Sequence, residues 1–379
     1  MKILVDAFGG DNAPLEIIKG AVAAAADFNI ANSTDFSNAA NSASISNTAN
    51  STDFSNAANS TSISNTANSK KTVIALVGDE QRIKSCAAEN GIDISMLEII
   101  TAPDVISVDD DVMEILKEKS QSSMAVGLRA LAEGRVDAFV SAGSTGALVV
   151  GGTFIVKRIK GVKRAAIASV MPSLEGPFML IDSGANLEVK PKYLDQFALM
   201  GSLYMQKVLK IKNPRVGLAN IGTEECKGTE LCREAYSLMA KQSSYNFTGN
   251  AEVRDIPYGV ADVIVADGFT GNVILKMYEG VAGAMMKSLK GIFKKSKFTM
   301  LGALFVKSGL SDFKARMDYK KYGGAPLMGL SRPVIKAHGS SDAEAIKNAV
   351  KAAVSFAETG VIEDITAAIK AARGEEKDD

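Results

Sequence analysis

Lys227 carries a full positive charge inside the stretch Gly217 to Glu230, GLANIGTEECKGTE. An apolar run reads from Val216 into Asn220 and breaks at Ile221-Gly222. Lys227-Gly228 then precedes Leu231, Ala235, Leu238 and Met239 at helical spacing. A strand, loop and helix in that order point backbone N–H groups and the positive end of a helix into a crevice. Asn220, Gly222, Lys227 and Gly228 are therefore candidate anion contacts. A solvated lysine on an ordinary connection would leave the same pattern.

Four further strand ends share this vocabulary of Gly, Ser, Thr, Asn and Asp: Gly9, Gly10, Asp11 and Asn12; Ser144, Thr145 and Gly146; Asp182, Asn186 and Lys190; Asp267, Gly271 and Asn272. A uniformly parallel sheet would bring all five ends to one edge. Donors gathered there from backbone amides, Asn272 and Lys227 suit a phosphate or an oxyanion. At Asp11 and Asn12 a plain helix cap would also explain the residues. His338 is the only histidine, and its neighbours Ser340, Ser341 and Asp342 are too close in sequence for a usual Ser-His-Asp triad. Cys226, beside Lys227, could be an activated thiol or a small filler. Asp109-Asp110-Asp111 reads as a solvated acidic run rather than a metal site.

These loops need strands and helices to hold them. Ile3 to Ala7, Thr72 to Val77, Leu97 to Ile100, Ala138 to Val140, Met179 to Asp182 and Asp262 to Ala266 read as strands. Helical patterns follow Pro14, Gly78, Lys190 and Lys227, cover Ser123 to Glu133, and begin again at Val273. Repeated β-α units predict an α/β fold, a mainly parallel sheet with helices on both faces. Residues 31–69 interrupt it: ANSTDFSNAANSASISNT (31–48) recurs as ANSTDFSNAANSTSISNT (49–66), each copy two nonapeptides. Phe36, Ile45, Phe54 and Ile63 come too sparsely to build a core, so the segment reads as a low-complexity insertion, with a short β-solenoid as the alternative. Deleting Ala31 to Ser69 is expected to preserve activity and Tm, because loop closure changes by only about 0.6 kcal/mol per doubling of length.

With 379 residues, 46% of them hydrophobic, the chain can bury a large core. Its 43 basic and 43 acidic residues create no global field, which argues against nucleic acid as a partner. Three cysteines, an odd number without metal-ligand spacing, suit a reducing cytoplasm. No apolar run is long enough to span a membrane. From 289 to 317, however, Leu301, Leu304 and Phe305 lie among Lys294, Lys295, Lys297 and Lys307. That stretch reads either as a core or dimer helix or as a protruding amphipathic tip for an anionic membrane surface.

MKILVDAFGGDNAP, SAGSTGAL, IDSGANLEVKP, GLANIGTEECKGTEL, NFTGNAEVRDIP, ADVIVADGFTGNVILK, YGGAPLMG and VIKAHGSSDA occur in that order. Together they resemble the bacterial phosphate acyltransferase family PlsX over nearly the whole chain outside the repeat. The resemblance implies transfer of a long-chain acyl group from acyl carrier protein to inorganic phosphate, for phospholipid synthesis and without a cofactor or metal. It implies a fold similar to isocitrate dehydrogenases and phosphotransacetylases, a homodimer, and peripheral attachment to the cytoplasmic face of the cell membrane. The family's catalytic lysine and asparagine fall on Lys227 and Asn272, and His338 joins the substrate-binding candidates. Asn12, Ser144 and Thr229 depart from the family's usual GGDHAP, SAGNTGA and KGN. On this reading residues 1–373 form one two-lobed catalytic unit, with 374–379 a charged tail. The rivals are a short-chain phosphate acetyl- or butyryltransferase using coenzyme A, and a catalytically silent membrane scaffold.

Overall fold

Alternate residues of β1 (Lys2–Asp6) bury into different cores, Ile3 and Val5 on one face and Leu4 on the other. That is the period-two signature of a strand covered on both sides. In the computed structural model, which describes residues 1–41, 71–316 and 319–375, β1 leads into α1 (Leu15–Asn41). β2 (Val73–Gly78), α2 (Glu80–Glu89), β3 (Glu98–Thr101), α3 (Ser123–Ala132), β4 (Ala138–Ser141) and α4 (Thr145–Gly151) complete the first half. β5 (Ala166–Pro172) and β6 (Pro177–Ile181) open the second. α5 (Pro191–Lys207), β7 (Arg215–Asn220), α6 (Glu230–Met239), β8 (Asn246–Glu252), β9 (Val263–Val265) and α7 (Gly268–Lys294) follow. After α8 (Lys297–Phe305) and α9 (Lys307–Arg316) the chain returns through β10 (Ala325–Met328) and β11 (Val334–Lys336) to α10 (Ala343–Glu358) and α11 (Val361–Glu375).

Among the described residues eleven strands form one sheet in the order β3-β2-β1-β4-β11-β10-β5-β6-β9-β7-β8. Most neighbours are parallel, but β10 runs antiparallel to both β11 and β5, and β5 antiparallel to β6. The parallel block β6-β9-β7-β8 therefore runs opposite to the block β3-β2-β1-β4-β11. This corrects the expectation of a single edge. The ends of β1 and β4 emerge on one side of the sheet, and those of β6, β7 and β9 on the other. The reversal lies in β5, β10 and β11, which the reading of β-α units did not register. β11 has 3 residues and β10 has 4. Residues at the ends of β4, β6 and β11, among them Thr145, Ser183 and His338, nevertheless line one cleft at this junction.

Among the described residues three cores hold the layers. One packs α1, α5, α6, α10 and α11 on one face, and the others lie under α3 and α4 and under the start of α7. Each fully buried side chain such as Phe139 or Phe197 stabilises the fold by about 1.5–3 kcal/mol. α1 enters the nonapeptide repeat as far as Asn41; residues 42–70 lie outside the described residues. The deletion that leaves this helix whole is thus 42–69, and a large drop in Tm or activity would show that the repeat packs on the fold.

Candidate functional site

Asp182 organises the end of β6. Its Oδ1 accepts from the backbone N–H of Ile167 (3.1 Å), Gly184 (3.1 Å) and Ala185 (2.9 Å). Its Oδ2 accepts from Asn186 N–H (2.7 Å) and Nδ2 (2.8 Å), while Asn186 Nδ2 also reaches the Ala165 carbonyl at 2.7 Å. Burial pushes the Asp182 carboxyl above its ordinary value, and the hydrogen bonds from Ala185, the Asn186 side chain, Gly184 and Ile167 act against that rise. Asp182 and Asn186 thus shape the loop that presents Ser183 and Gly184. The Ser183 and Ser169 hydroxyls lie 2.8 Å apart across β5 and β6.

α7 is seated directly on this loop. Asp267 caps it, accepting from Thr270 N–H (2.9 Å) and Oγ1 (2.6 Å). A Cβ at Gly271 would lie 1.8 Å from the Asp182 carbonyl oxygen, so only glycine permits the approach. The sequence pattern places the start of this helix at Val273, after a glycine loop; in the structure it begins at Gly268, because the glycines pack on the Asp182 loop. Asn272 consequently stands near the positive N-terminal end of a long helix, packed against Gly184.

On the opposite side, the loop after β1 clamps the one after β11. Gly10, at φ +99°, lies against the Gly339 carbonyl, Asp11 N–H donates to that carbonyl at 2.8 Å, and Asn12 Nδ2 donates to the carbonyls of Ser340 (3.3 Å) and Ser341 (3.2 Å). Gly9 is buried against Gly143, Gly146 is exposed beside Val112, and Ser144 caps α4 through Ala147 N–H.

Between the two sides lies a cavity of about 360 Å³. Thr145, Ser169, Ser183, Asn272, Lys276, Lys336 and His338 supply polar groups to its wall; Ile167, Val170, Met171 and Leu275 supply apolar ones. Of the residues expected from sequence, Thr145, Asn272 and His338 line it. Gly10, Asp11 and Asn12 support it through the His338 loop, and Asp182, Asn186, Asp267 and Gly271 through the Asn272 loop. Lys190, exposed at the start of α5, is not among the lining residues.

Lys227 is exposed and also absent from the cavity wall. Its loop is well pinned: Asn220 Nδ2 donates to the Lys227 carbonyl at 3.1 Å, Asn220 Oδ1 accepts from Ile221 N–H at 2.8 Å, and Gly228 at φ +86° rests on the Asn220 side chain. Gly222 lies against the Lys227 alkyl chain. Because Leu218 of β7 is in register with Val265 of β9, this loop and the start of α7 leave the sheet side by side.

Lys276 and Lys336 were missed by sequence reasoning. Lys336 stands two residues before His338 in VIKAHGSSDA, and Lys276 one helical turn beyond Asn272. Lys336 Nζ donates to the carbonyls of Ala142 (3.3 Å) and Ala337. Burial lowers its amine to about 8, the Lys276 charge acts the same way, and Asp11 and Asp6 oppose it. Lys276 pairs with Glu279 at 3.0 Å. Burial also lowers the His338 imidazole below its ordinary value.

α7 buries Gly268, Gly271 and Ile274 in its opening turns, whereas Phe269, Val273, Met277, Val281 and Met285, four residues apart, are exposed. On α8, Leu301 is 55% and Phe305 85% exposed. The Leu304 side chain lies outside the described residues.

The profile of the family described as Fatty acid synthesis protein matches residues 51–364. A phosphate acyltransferase from Alkaliphilus oremlandii is 43% identical over 366 residues, covering 97% of this chain and 96% of the relative. Another from Thermoanaerobacterium thermosaccharolyticum is 42% identical, covering 96% of each. Among solved structures, the EutD phosphotransacetylase from Staphylococcus aureus aligns at TM-score 0.52 and 17% identity, over 76% of this chain and 87% of its own. A branched-chain phosphotransacylase from Enterococcus faecalis aligns at TM-score 0.51 and 12% identity, over 95% and 100%. At those identities the likeness is one of fold.

Proposed function

The chain belongs to the phosphate acyltransferase family, and we propose that it transfers a long-chain acyl group from acyl carrier protein to inorganic phosphate, yielding acyl phosphate for phospholipid synthesis. The observation that carries this reading is one cavity with two lysines, Asn272 and His338 beside an apolar wall. An acyl chain suits the apolar part and phosphate the cationic part. Phosphate attacks the thioester carbonyl, and negative charge develops on its oxygen. The Asn272 amide, near a helix N-terminus, is the donor assigned to that oxyanion, and Lys227 on the adjoining loop adds positive charge to the approach. Thiolate then departs. The reacting groups belong to the two substrates, so the transfer calls for no added cofactor.

Residues 1–373 act as one two-lobed unit in this reading. The exposed α7 stripe suits a second copy of the chain, and α8 with its flanking lysines an anionic membrane surface. No described helix is long and apolar enough to cross a membrane. A cytoplasmic enzyme working at the membrane's inner face fits these features. Equal concentrations of palmitoyl-acyl carrier protein and butyryl-coenzyme A, each with phosphate, test the donor. Thiol release from the carrier protein thioester is expected to dominate; preference for butyryl-coenzyme A would move the enzyme to the short-chain class.

A further inference from the structure

Building on that reading, we propose that Lys336 is a catalytic residue of the transfer: its amine takes the proton of the attacking hydrogen phosphate and passes it to the departing sulfur. Hydrogen phosphate brings one proton that the acyl phosphate product does not need, and the thiolate lacks one. In the step, the phosphate O–H bond breaks as the new O–C bond forms. The C–S bond then breaks, its electron pair leaves with sulfur, and the proton borne by Nζ completes the thiol. No other reactant is required.

The geometry singles out this lysine. It ends β11 at the point where the two sides of the sheet share one cavity, and two backbone carbonyls hold its nitrogen. An amine anchored through two N–H bonds keeps its third position, lone pair or proton, for exchange. The charged and titratable groups around it are Lys276 and Glu279 of α7, His338 of its own loop, and Asp11 and Asp6 from the β1 side. Lys276 is engaged by Glu279 at 3.0 Å and supplies positive charge to the phosphate. His338 Nδ1 accepts from Ser340 N–H at 3.2 Å, which assigns the proton of the neutral ring to Nε2 and makes it a donor rather than a base. An amine at about 8 is matched to a thiol of ordinary value about 8.5, so the proton moves to sulfur at little cost.

Lys336→Arg keeps the charge but cannot release a proton. It is expected to bind inorganic phosphate, by calorimetry, like the wild type, yet to turn over about a hundredfold or more slowly. The neutral amine is the accepting form, so wild-type kcat/KM should rise with pH through about 8. That limb should vanish in the variant; ionisation of phosphate affects both proteins alike. Because arginine could disturb the carbonyl seat, Lys336→Ala supplies an independent arm. Small primary amines should restore its turnover, with an efficiency that follows their basicity. Wild-type kcat with an unchanged pH limb in Lys336→Arg, or a folded Lys336→Ala that no amine rescues, overturns the assignment. Wild-type enzyme that releases no thiol in response to phosphate would instead overturn the functional reading on which it rests.

Discussion

Asn272→Ala is expected to slow acyl release at least about a hundredfold, the usual loss when one donor to a developing oxyanion is removed. Asn272 is exposed on α7, and alanine is the better helix former, so Tm should hold or rise slightly. A fall in turnover would therefore report chemistry rather than folding. Lys227→Ala is expected to cause a loss of similar size, although Lys227 stands outside the cavity wall. Its loop leaves the sheet beside the start of α7, the helix that carries Asn272. Near-normal turnover of a well-folded Lys227→Ala protein at saturating phosphate would remove this lysine from the mechanism.

Leu301→Glu combined with Phe305→Glu is expected to abolish binding to anionic vesicles while sparing activity on soluble acyl carrier protein thioester. Both side chains are largely exposed on α8, and Lys294, Lys295, Lys297 and Lys307 flank them. An apolar face that enters the acyl boundary while lysines meet head groups loses its hold when two carboxylates are added. Wild-type binding should weaken as salt rises, since the Debye length at physiological ionic strength is only about 8 Å. If the double variant aggregates or changes its oligomeric state while the wild type ignores such vesicles, the helix is structural.

Much of this molecule was legible because buried parallel strands write themselves as apolar runs. Those ending in Asp6, Asn220 and Val265 lie within a residue or two of where the sequence placed them. The start of α7 was harder to see. Gly268 and Gly271 serve close packing against Asn186 and Asp182, yet glycine in sequence reads first as a turn. The direction of the sheet was harder still. Antiparallel pairing of β10 and β5 depends on contacts between residues far apart in sequence, and two short strands carry no periodic signal strong enough to announce it. Lys336 escaped for a related reason. In an isolated segment a lysine at a strand end reads as a solvated charge; only the folded chain brings Ala142 and Lys276 around it.

The acyl group is expected to end on phosphate. The most direct test incubates the purified protein with palmitoyl-acyl carrier protein and inorganic phosphate and follows phosphorus NMR alongside thiol release. A new acyl phosphate resonance should grow in step with free thiol and be absent without phosphate. Thiol release that yields only free fatty acid, at a rate indifferent to phosphate, would contradict it.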